Sequence, residues 1–156
     1  MSRFMLPTVL VVLGGCSQPV TEEDAIASLG YAVITRDEAL PGKPVTSVVF
    51  NSTAVSDAKL EQLAPFKNLT TLELYAGVNV TDAGVKHVAN LTSLTRLTLG
   101  NVPVTDSGLR RLAALKNLAT LNLSYSGGSP KFTDAGVEEL RKVLPNCTIV
   151  LNVSTR

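Results

Sequence analysis

The feature that most constrains this sequence is a unit that occurs four times. Its clearest copy has the pattern L-x-x-L-x-L at residues 94–99, followed by V-T-D-S-G-L at residues 104–109. The four copies begin at Val45, Leu69, Leu94 and Leu118, so their starts are 24, 25 and 24 residues apart. A period in the twenties with this leucine spacing is typical of solenoids, in which each unit buries its apolar residues against the next.

Each unit combines the signals of a strand and of a helix. Leu97 and Leu99 alternate with polar residues, which is the period of a β-strand. Thr105 then provides a favourable helix N-cap, and Asp106 places negative charge in the first helical turn. The helices carry apolar residues on one face. These stripes are Leu60/Leu63/Phe66, Val85/Val88/Leu91, Leu109/Leu112/Leu115 and Val137/Leu140/Leu144. Stacked units of this kind predict an α/β solenoid with a parallel sheet on its concave face and helices on its convex face.

The segments that flank the repeats predict elements that cover the solenoid. Thr21 precedes three acidic residues and Gly30 follows an apolar stretch, which indicates a short helix between them. A β-prone stretch at 31–35 then predicts a strand beside the first repeat. We therefore divide the chain into an N-terminal cap (21–44), the repeats (45–146) and a closing strand with a tail (147–156).

The repeats also resemble a known class. The run V-T-D-A-G-V at 80–85, after L-x-x-L-x-L at 69–74, resembles the ribonuclease-inhibitor-like class of leucine-rich repeats. In particular, it resembles the short secreted repeat proteins abundant in planctomycete-type bacteria, and the segment 33–45 resembles their capping segment. The resemblance implies a leucine-rich-repeat solenoid of about four repeats with a helix and strand as its N-terminal cap. It implies no particular function, because this fold has many different binding partners.

Two departures from the repeat pattern concern the turns and the first helix. The position at which many leucine-rich repeats place a ladder asparagine is occupied by Thr53, Val78, Val102 and Pro130. The turns therefore need other hydrogen-bond partners. Lys59 stands where the later units have glycine, which marks the first repeat as atypical.

The first sixteen residues have the features of an export signal. Arg3 precedes an apolar run at 4–13, which is shorter than the ~20 residues needed to span a bilayer but typical of a signal-peptide core. The segment 13–16, Leu-Gly-Gly-Cys, resembles the lipobox of bacterial lipoproteins. This resemblance implies a signal peptide (1–15), a lipidated Cys16 and a tether (16–20). The alternative is an ordinary cleaved signal with a coincidental cysteine. Lipidation predicts an anchor in the cell envelope, on its periplasmic or extracellular face.

Charge and motif content give little support to catalysis or to nucleic-acid binding. The chain has 14 Lys and Arg against 13 Asp and Glu, so no strong net charge attracts a polyanion. The sequence shows no phosphate-binding loop, no His/Cys metal cluster and no nucleophile elbow, and we predict neither a catalytic residue nor a cofactor. His87 is predicted to be a surface residue, and Cys147 a buried thiol without a disulfide partner.

One aspartate recurs in every repeat, and two interpretations of this row were considered. The four residues are Asp57, Asp82, Asp106 and Asp134. They would form a ladder that binds a cation, or each would interact with the dipole of its own helix. We favour the second interpretation and predict no metal site.

The outward residues of the strands form the predicted partner-binding face. Its members are Glu73, Tyr75, Arg96, Thr98, Thr120 and Asn122. Tyr75 and Arg96 are of the types that anchor protein contacts. Glu73 and Arg96 would alternatively pair with each other across adjacent strands. A second candidate is the longer Gly/Ser/Pro segment 126–131, with Tyr125 at its root as a further aromatic contact.

These observations predict a lipid-anchored, extracytoplasmic module that binds another protein, or a surface glycan, through its concave face. Two rival functions remain. The first is a structural envelope protein that packs through its solenoid ends, which exposed apolar surface around Ile149 and Leu151 would favour. The second is an accessory subunit of an envelope enzyme, which would co-purify with a catalytic partner.

Overall fold

The computed structural model describes residues 21–30, 32–126 and 130–154. The chain alternates between helices and strands. The helices are α1 (Glu22–Leu29), α2 (Asp57–Glu61), α3 (Asp82–Val88), α4 (Asp106–Leu112) and α5 (Asp134–Val143). The strands are β1 (Ala32–Arg36), β2 (Val45–Phe50), β3 (Thr71–Leu74), β4 (Arg96–Gly100), β5 (Thr120–Ser126) and β6 (Thr148–Ser154).

The strands form one six-stranded sheet in the order of the chain, β1 to β6. β2 to β6 are parallel, and β1 pairs antiparallel with β2. The register aligns the repeats: Leu97 lies opposite Leu72 on one side and Leu121 on the other. This confirms the predicted leucine-rich-repeat solenoid with a helix and strand at its N-terminal end.

The core lies between the sheet and the helices. The inward residues of the strands and the predicted stripes of all four repeat helices are buried in one continuous apolar cluster. Neighbouring strands lie about 4.8 Å apart, whereas packed helices need about 8–10 Å. The sheet is therefore the concave face and the helices form the convex face. Within the described residues, no helix has the length and apolarity that crossing a bilayer requires.

The N-terminal helix is fixed at both ends. Thr21 and Asp24 form a reciprocal capping box at its start, with the Thr21 hydroxyl accepting from the Asp24 N–H and the Asp24 carboxylate accepting from the Thr21 N–H. At its end, Gly30 takes a positive φ of 70°. The Nζ of Lys59 donates to the carbonyl oxygen of Leu29 at 3.0 Å. The lysine that breaks the repeat pattern therefore attaches the cap to the first repeat.

The recurring aspartates connect successive repeats. Asp82 lies in the first turn of α3 and accepts from the N–H of Thr105 at 3.0 Å and from its hydroxyl at 2.5 Å. The same two bonds join Asp57 to Thr81 and Asp106 to Thr133. Sequence reasoning placed these carboxylates beside their own helix dipoles and missed this link to the next repeat. Among the described residues, no group of three or more acidic, His or Cys side chains is arranged to hold a metal ion.

The aspartates also explain the glycine of each later repeat. A Cβ at Gly84, Gly108 or Gly136 would overlap the Oδ1 atom of the aspartate one repeat earlier, which is Asp57, Asp82 or Asp106 respectively. Lys59 occupies the corresponding position of the first repeat, where no aspartate precedes it in the ladder. Glycine is therefore required where an aspartate of the preceding repeat lies beside the helix, and a larger residue such as Lys59 fits where no such aspartate is present.

The turns without the ladder asparagine use other donors. The Tyr125 hydroxyl donates to the carbonyl of Val102, and the Asn79 side-chain amide donates to the carbonyl of Thr53 at 2.8 Å. Asn101 adopts a φ of 53° and accepts through Oδ1 from the Ser126 N–H at 2.8 Å. The hydrogen bonds that a repeated asparagine would supply are therefore distributed over different residues in different repeats.

Candidate functional site

Two rows of residues on the concave face run across all six strands, and a shorter third row crosses β4 to β6 at Gly100, Ser124 and Asn152. The strand registers align the lower row Thr35, Ser47, Thr71, Arg96, Thr120 and Thr148, and the middle row Val33, Val49, Glu73, Thr98, Asn122 and Val150. Five of the six residues of the lower row carry a small hydroxyl. Arg96 is the exception, so the row has one long cationic side chain near its middle.

Tyr75 is the most exposed aromatic side chain of the described residues, at 50%. It directly follows β3, and its hydroxyl donates to Oε2 of Glu73 at 2.8 Å. This bond to a carboxylate raises the pKa of Tyr75, and partial desolvation adds to the rise. The tyrosine therefore remains a neutral donor at physiological pH, with its ring facing solvent.

Gly100 packs closely against the backbone that carries this ring. It follows Leu99 at the end of β4, and a Cβ at this position would lie 2.8 Å from the carbonyl oxygen of Leu74 and 3.0 Å from the Cα of Tyr75. Only glycine fits there without a shift of the backbone. Glycine at this position therefore allows the backbones of β3 and β4 to approach each other below Tyr75.

Arg96 lies at the start of β4, exposed on the same face. The sequence left open that it pairs with Glu73, but no such ion pair forms: within the described residues, the ion pairs are Arg36–Glu23, Lys43–Glu38, Arg110–Glu139 and Arg141–Glu138. Glu73 instead accepts the Tyr75 hydroxyl. The Arg96 guanidinium can therefore form an ion pair with an acidic group of a partner molecule.

The other predicted residues of the face differ in accessibility. Thr120 and Asn122 are half-buried on β5, beside Arg96 and Thr98 in the register. Thr98 is only 6% exposed, although it has the outward parity of its strand. It lies between the longer side chains of Glu73 and Asn122. Thr98 thus packs between these two side chains and has almost no solvent-accessible surface that a partner could contact.

In the second candidate site, segment 126–131, the aromatic side chain at its root is not accessible to a partner. Tyr125 is buried, packs edge-on against Phe132 with the ring centroids 5.6 Å apart, and donates its hydroxyl to Val102. Burial raises the pKa of Tyr125 to about 12. The expectation that Tyr125 faces a partner is therefore wrong. β5 extends to Ser126, so Tyr125 continues the inward alternation of Leu121 and Leu123. Residues 127–129 of the segment lie outside the described residues.

The remaining predicted residues fall into two groups. Cys16, with the whole signal and tether at 1–20, lies outside the described residues. His87 is half-buried at the last turn of α3, and Cys147 is a buried free thiol whose pKa is raised by desolvation.

The C-terminal end of the sheet exposes apolar side chains. Leu151 is 36% and Val153 is 45% exposed on β6, whereas Ile149 is 9% exposed. The surface that the end-packing rival requires is thus present at residues 151 and 153 and absent at 149.

Comparison with solved structures finds that the chain is similar to internalin C2 from Listeria monocytogenes, with 28% sequence identity and a TM-score of 0.52. The match covers 71% of this chain and 45% of that protein, so this chain spans less than half of the length of internalin C2. The likeness supports the leucine-rich-repeat class. No protein-family model matches the sequence, and a comparison with curated proteins finds no match.

Proposed function

We propose that this chain is a non-catalytic, lipid-anchored leucine-rich-repeat protein that binds another protein through the concave face, with Tyr75 and Arg96 as the anchoring side chains. The observation that carries the proposal is the presence, on one face of the sheet, of an exposed aromatic ring and of an exposed guanidinium without an ion pair to any described residue, about 13 Å apart along the strand direction. The likeness to a leucine-rich-repeat internalin supports protein interaction as the general role.

The chemistry of the face defines the kind of partner it fits. Arg96 offers a planar, bidentate donor for a carboxylate, and Tyr75 offers an apolar ring with a hydroxyl. The other residues of the lower row have short hydroxyl side chains, which can form hydrogen bonds with a partner and do not block its approach to Arg96. The face therefore fits a protein segment that presents an acidic and an apolar side chain about 13 Å apart. Arg96 lies on β4, and the backbone N–H of Tyr75 donates to the carbonyl of Phe50 at 3.0 Å, so little ordering is required on binding.

Replacing the anchors should remove partner binding and leave the fold intact. We expect Arg96→Glu to weaken binding by more than about tenfold, because a guanidinium facing a carboxylate becomes a like-charge contact. Tyr75→Ala should weaken binding similarly through lost ring contact. The measurement is photo-crosslinking in native cells from a benzophenone amino acid placed at Thr120, with the amount of adduct compared between parent and variants.

The matched control is Arg111→Glu, which makes the same charge change on an exposed convex residue. Its adduct yield should equal that of the parent. Equal loss with Arg111→Glu would indicate a nonspecific charge effect, and unchanged yield in both Arg96→Glu and Tyr75→Ala would refute the concave-face proposal.

The anchor forms the second part of the proposal. The resemblance of 13–16 to a lipobox, after an apolar run of signal-peptide size, supports cleavage before Cys16 and acylation of its thiol. The short tether at 16–20 would then hold the repeats close to the membrane of the cell envelope, as in the planctomycete-type repeat proteins that the sequence resembles. Acyl chains contribute ~0.8 kcal/mol per buried CH₂, so two or more chains anchor stably.

Cys16→Ser should abolish both processing and acylation. We expect the native protein in the membrane fraction, with an intact mass that corresponds to a chain starting at acylated Cys16. The variant should retain residues 1–15 and lack the acyl mass. Cys147→Ser is the control, since it removes the other cysteine and should leave the N-terminal mass shift unchanged. A native protein that is soluble and full length would overturn the anchor and the envelope location together.

A further inference from the structure

The two ends of the sheet differ in how their edges are protected. At the N-terminal end, β1 has five residues, its register shifts between Thr35 and Arg36, and Arg36 forms an ion pair with Glu23. Bulges, charges and shortness are the devices by which proteins prevent edge pairing. At the other end, β6 has seven residues, Thr148–Ser154, and its pairing with β5 is regular over all seven. β6 contains no charge and no proline, so its free edge is not protected.

The free edge of β6 is complementary to itself. If two copies pair antiparallel with Leu151 opposite Leu151, then Ile149 lies opposite Val153 on the core side of the sheet. On the concave side, Thr148 lies opposite Ser154 and Val150 opposite Asn152. All seven residues pair, and on the core side apolar residues meet only apolar residues. A shift by one residue would place a core-side apolar residue opposite a polar one, Ile149 or Leu151 opposite Asn152, so the core-side row specifies this register.

The helix behind β6 is also charge-complementary under the same two-fold axis. Gly136 and Glu139 face α4, because Gly136 abuts Asp106 and Glu139 bonds to Arg110. At 100° per residue, the opposite face of α5 carries Asp134, Glu138 and Arg141. The acidic residues lie in the first half of this face and the basic residue in the second half. Arg141 pairs with Glu138 of its own helix at 2.5 Å, and an antiparallel copy of α5 would place Asp134, which has no ion pair within the described residues, beside Arg141 of the other helix.

Asp134 supports the assignment of this helix face as exposed and charged. The three earlier aspartates of the ladder are half-buried and bonded to the threonine of the next repeat, whereas Asp134 is exposed and has no such bond within the described residues. Its carboxylate therefore adds to the charge that faces outward at this end.

We propose that two copies of this chain associate through β6, in antiparallel register centred on Leu151, to form one continuous sheet across a two-fold axis. The interface is isologous: each copy supplies the same strand and the same helix face. It buries the exposed parts of Leu151 and Val153 and gives the edge N–H and C=O groups partners. This proposal is independent of partner binding at the concave face, because it uses the end of the sheet.

Site-directed disulfide formation tests the register directly. The full chain carries Cys16→Ser in every arm, is kept in mild detergent, and is oxidised gently. Residues opposite each other in antiparallel strands have Cα atoms about 4.5–5.5 Å apart, within the range of a disulfide. Leu151→Cys should therefore form a covalent dimer with itself. Ile149→Cys should not do so alone but should crosslink to Val153→Cys when the two variants are mixed. The parent, with its buried Cys147, should remain uncrosslinked.

Sedimentation of the same chain in detergent provides the second readout. Val153→Lys should weaken dimerisation by more than about tenfold, because it places a charge inside the apolar row. Val78→Lys, the same change at a residue that is 51% exposed in a distant turn, should have no effect. A monomeric parent, or dimerisation that Val153→Lys leaves unchanged, would overturn the proposal. Crosslinking of Leu151→Cys to Val33→Cys in open-ended chains would overturn it too, since this would show head-to-tail assembly.

Discussion

Leu97→Ala should reduce the free energy of unfolding by about 2–5 kcal/mol, the range for truncating a fully buried leucine. Leu97 has no solvent exposure, and it lies in register with Leu72 and Leu121 in the adjacent strands. Removing it leaves a cavity between the sheet and the helices at the middle of the stack, where neighbouring layers restrict collapse. Chemical denaturation of the full chain measures the change through the transition midpoint at constant slope.

The control for this variant is Leu40→Ala, which removes the same atoms from a residue that is 48% exposed. It should change stability by no more than about 0.5 kcal/mol. If Leu97→Ala also costs less than about 1 kcal/mol, then Leu97 does not face the core and the inward register of the strands is wrong.

The repeat was sufficient to predict the fold because each of its signals is local. The leucine spacing sets which side of each strand is buried, the threonine before each aspartate starts a helix, and the apolar stripe orients that helix toward the sheet. The cap was predicted in the same way, from Thr21 and Gly30. The antiparallel direction of β1 was not, because strand direction depends on how the chain returns from Arg36 to Val45.

The role of the repeated aspartates could not be read from one repeat alone. A carboxylate in the first turn of a helix is fully consistent with stabilising its own helix, and the sequence offers nothing against that interpretation. The real partner, the threonine of the next repeat, becomes visible only when the repeats are stacked. One signal was nevertheless present: the aspartate and the glycine occur together in the later repeats, whereas Lys59 replaces the glycine only where no earlier repeat exists.

For the candidate site, the sequence predicted which side of the sheet a residue faces but not how accessible its side chain is. Period-two alternation assigned Thr98 to the concave face correctly, but its accessibility depends on the size of Glu73 and Asn122 beside it, which strand parity does not describe. Tyr125 could have been assigned inward from its parity with Leu121 and Leu123. It was instead assigned to the root of segment 126–131, because strand ends are set by tertiary contacts such as the Tyr125–Phe132 pair.

Gly136→Ala should destabilise the protein by about 1–3 kcal/mol, although alanine is normally favoured over glycine in a helix by up to about 1 kcal/mol. The reason is steric: the atoms nearest to an added Cβ all belong to Asp106, whose carboxylate accepts from the N–H and hydroxyl of Thr133. These bonds hold the pKa of Asp106 below its usual range. The added methyl would displace the carboxylate and break the connection between α4 and α5. Chemical denaturation of the single variant gives the sign and size of the effect.

The effect of the same substitution in an Asp106→Ala background distinguishes this explanation from general crowding. Without the carboxylate, only the Cβ of residue 106 remains near the added methyl, at 3.2 Å, where a shift of a few tenths of an ångström accommodates it, and the intrinsic helix preference for alanine should dominate. Gly136→Ala should then be neutral or stabilising relative to its Asp106→Ala parent, so the sign of the effect reverses or its cost disappears. Gly42→Ala is a contrasting control. An added Cβ at Gly42 has no atom within 4 Å, but the backbone there has a φ of 77°, which alanine rarely adopts. The loss of stability from Gly42→Ala is therefore conformational and should be the same in both backgrounds. An equal penalty for Gly136→Ala in both backgrounds would mean that the glycine is required for a reason other than the aspartate ladder.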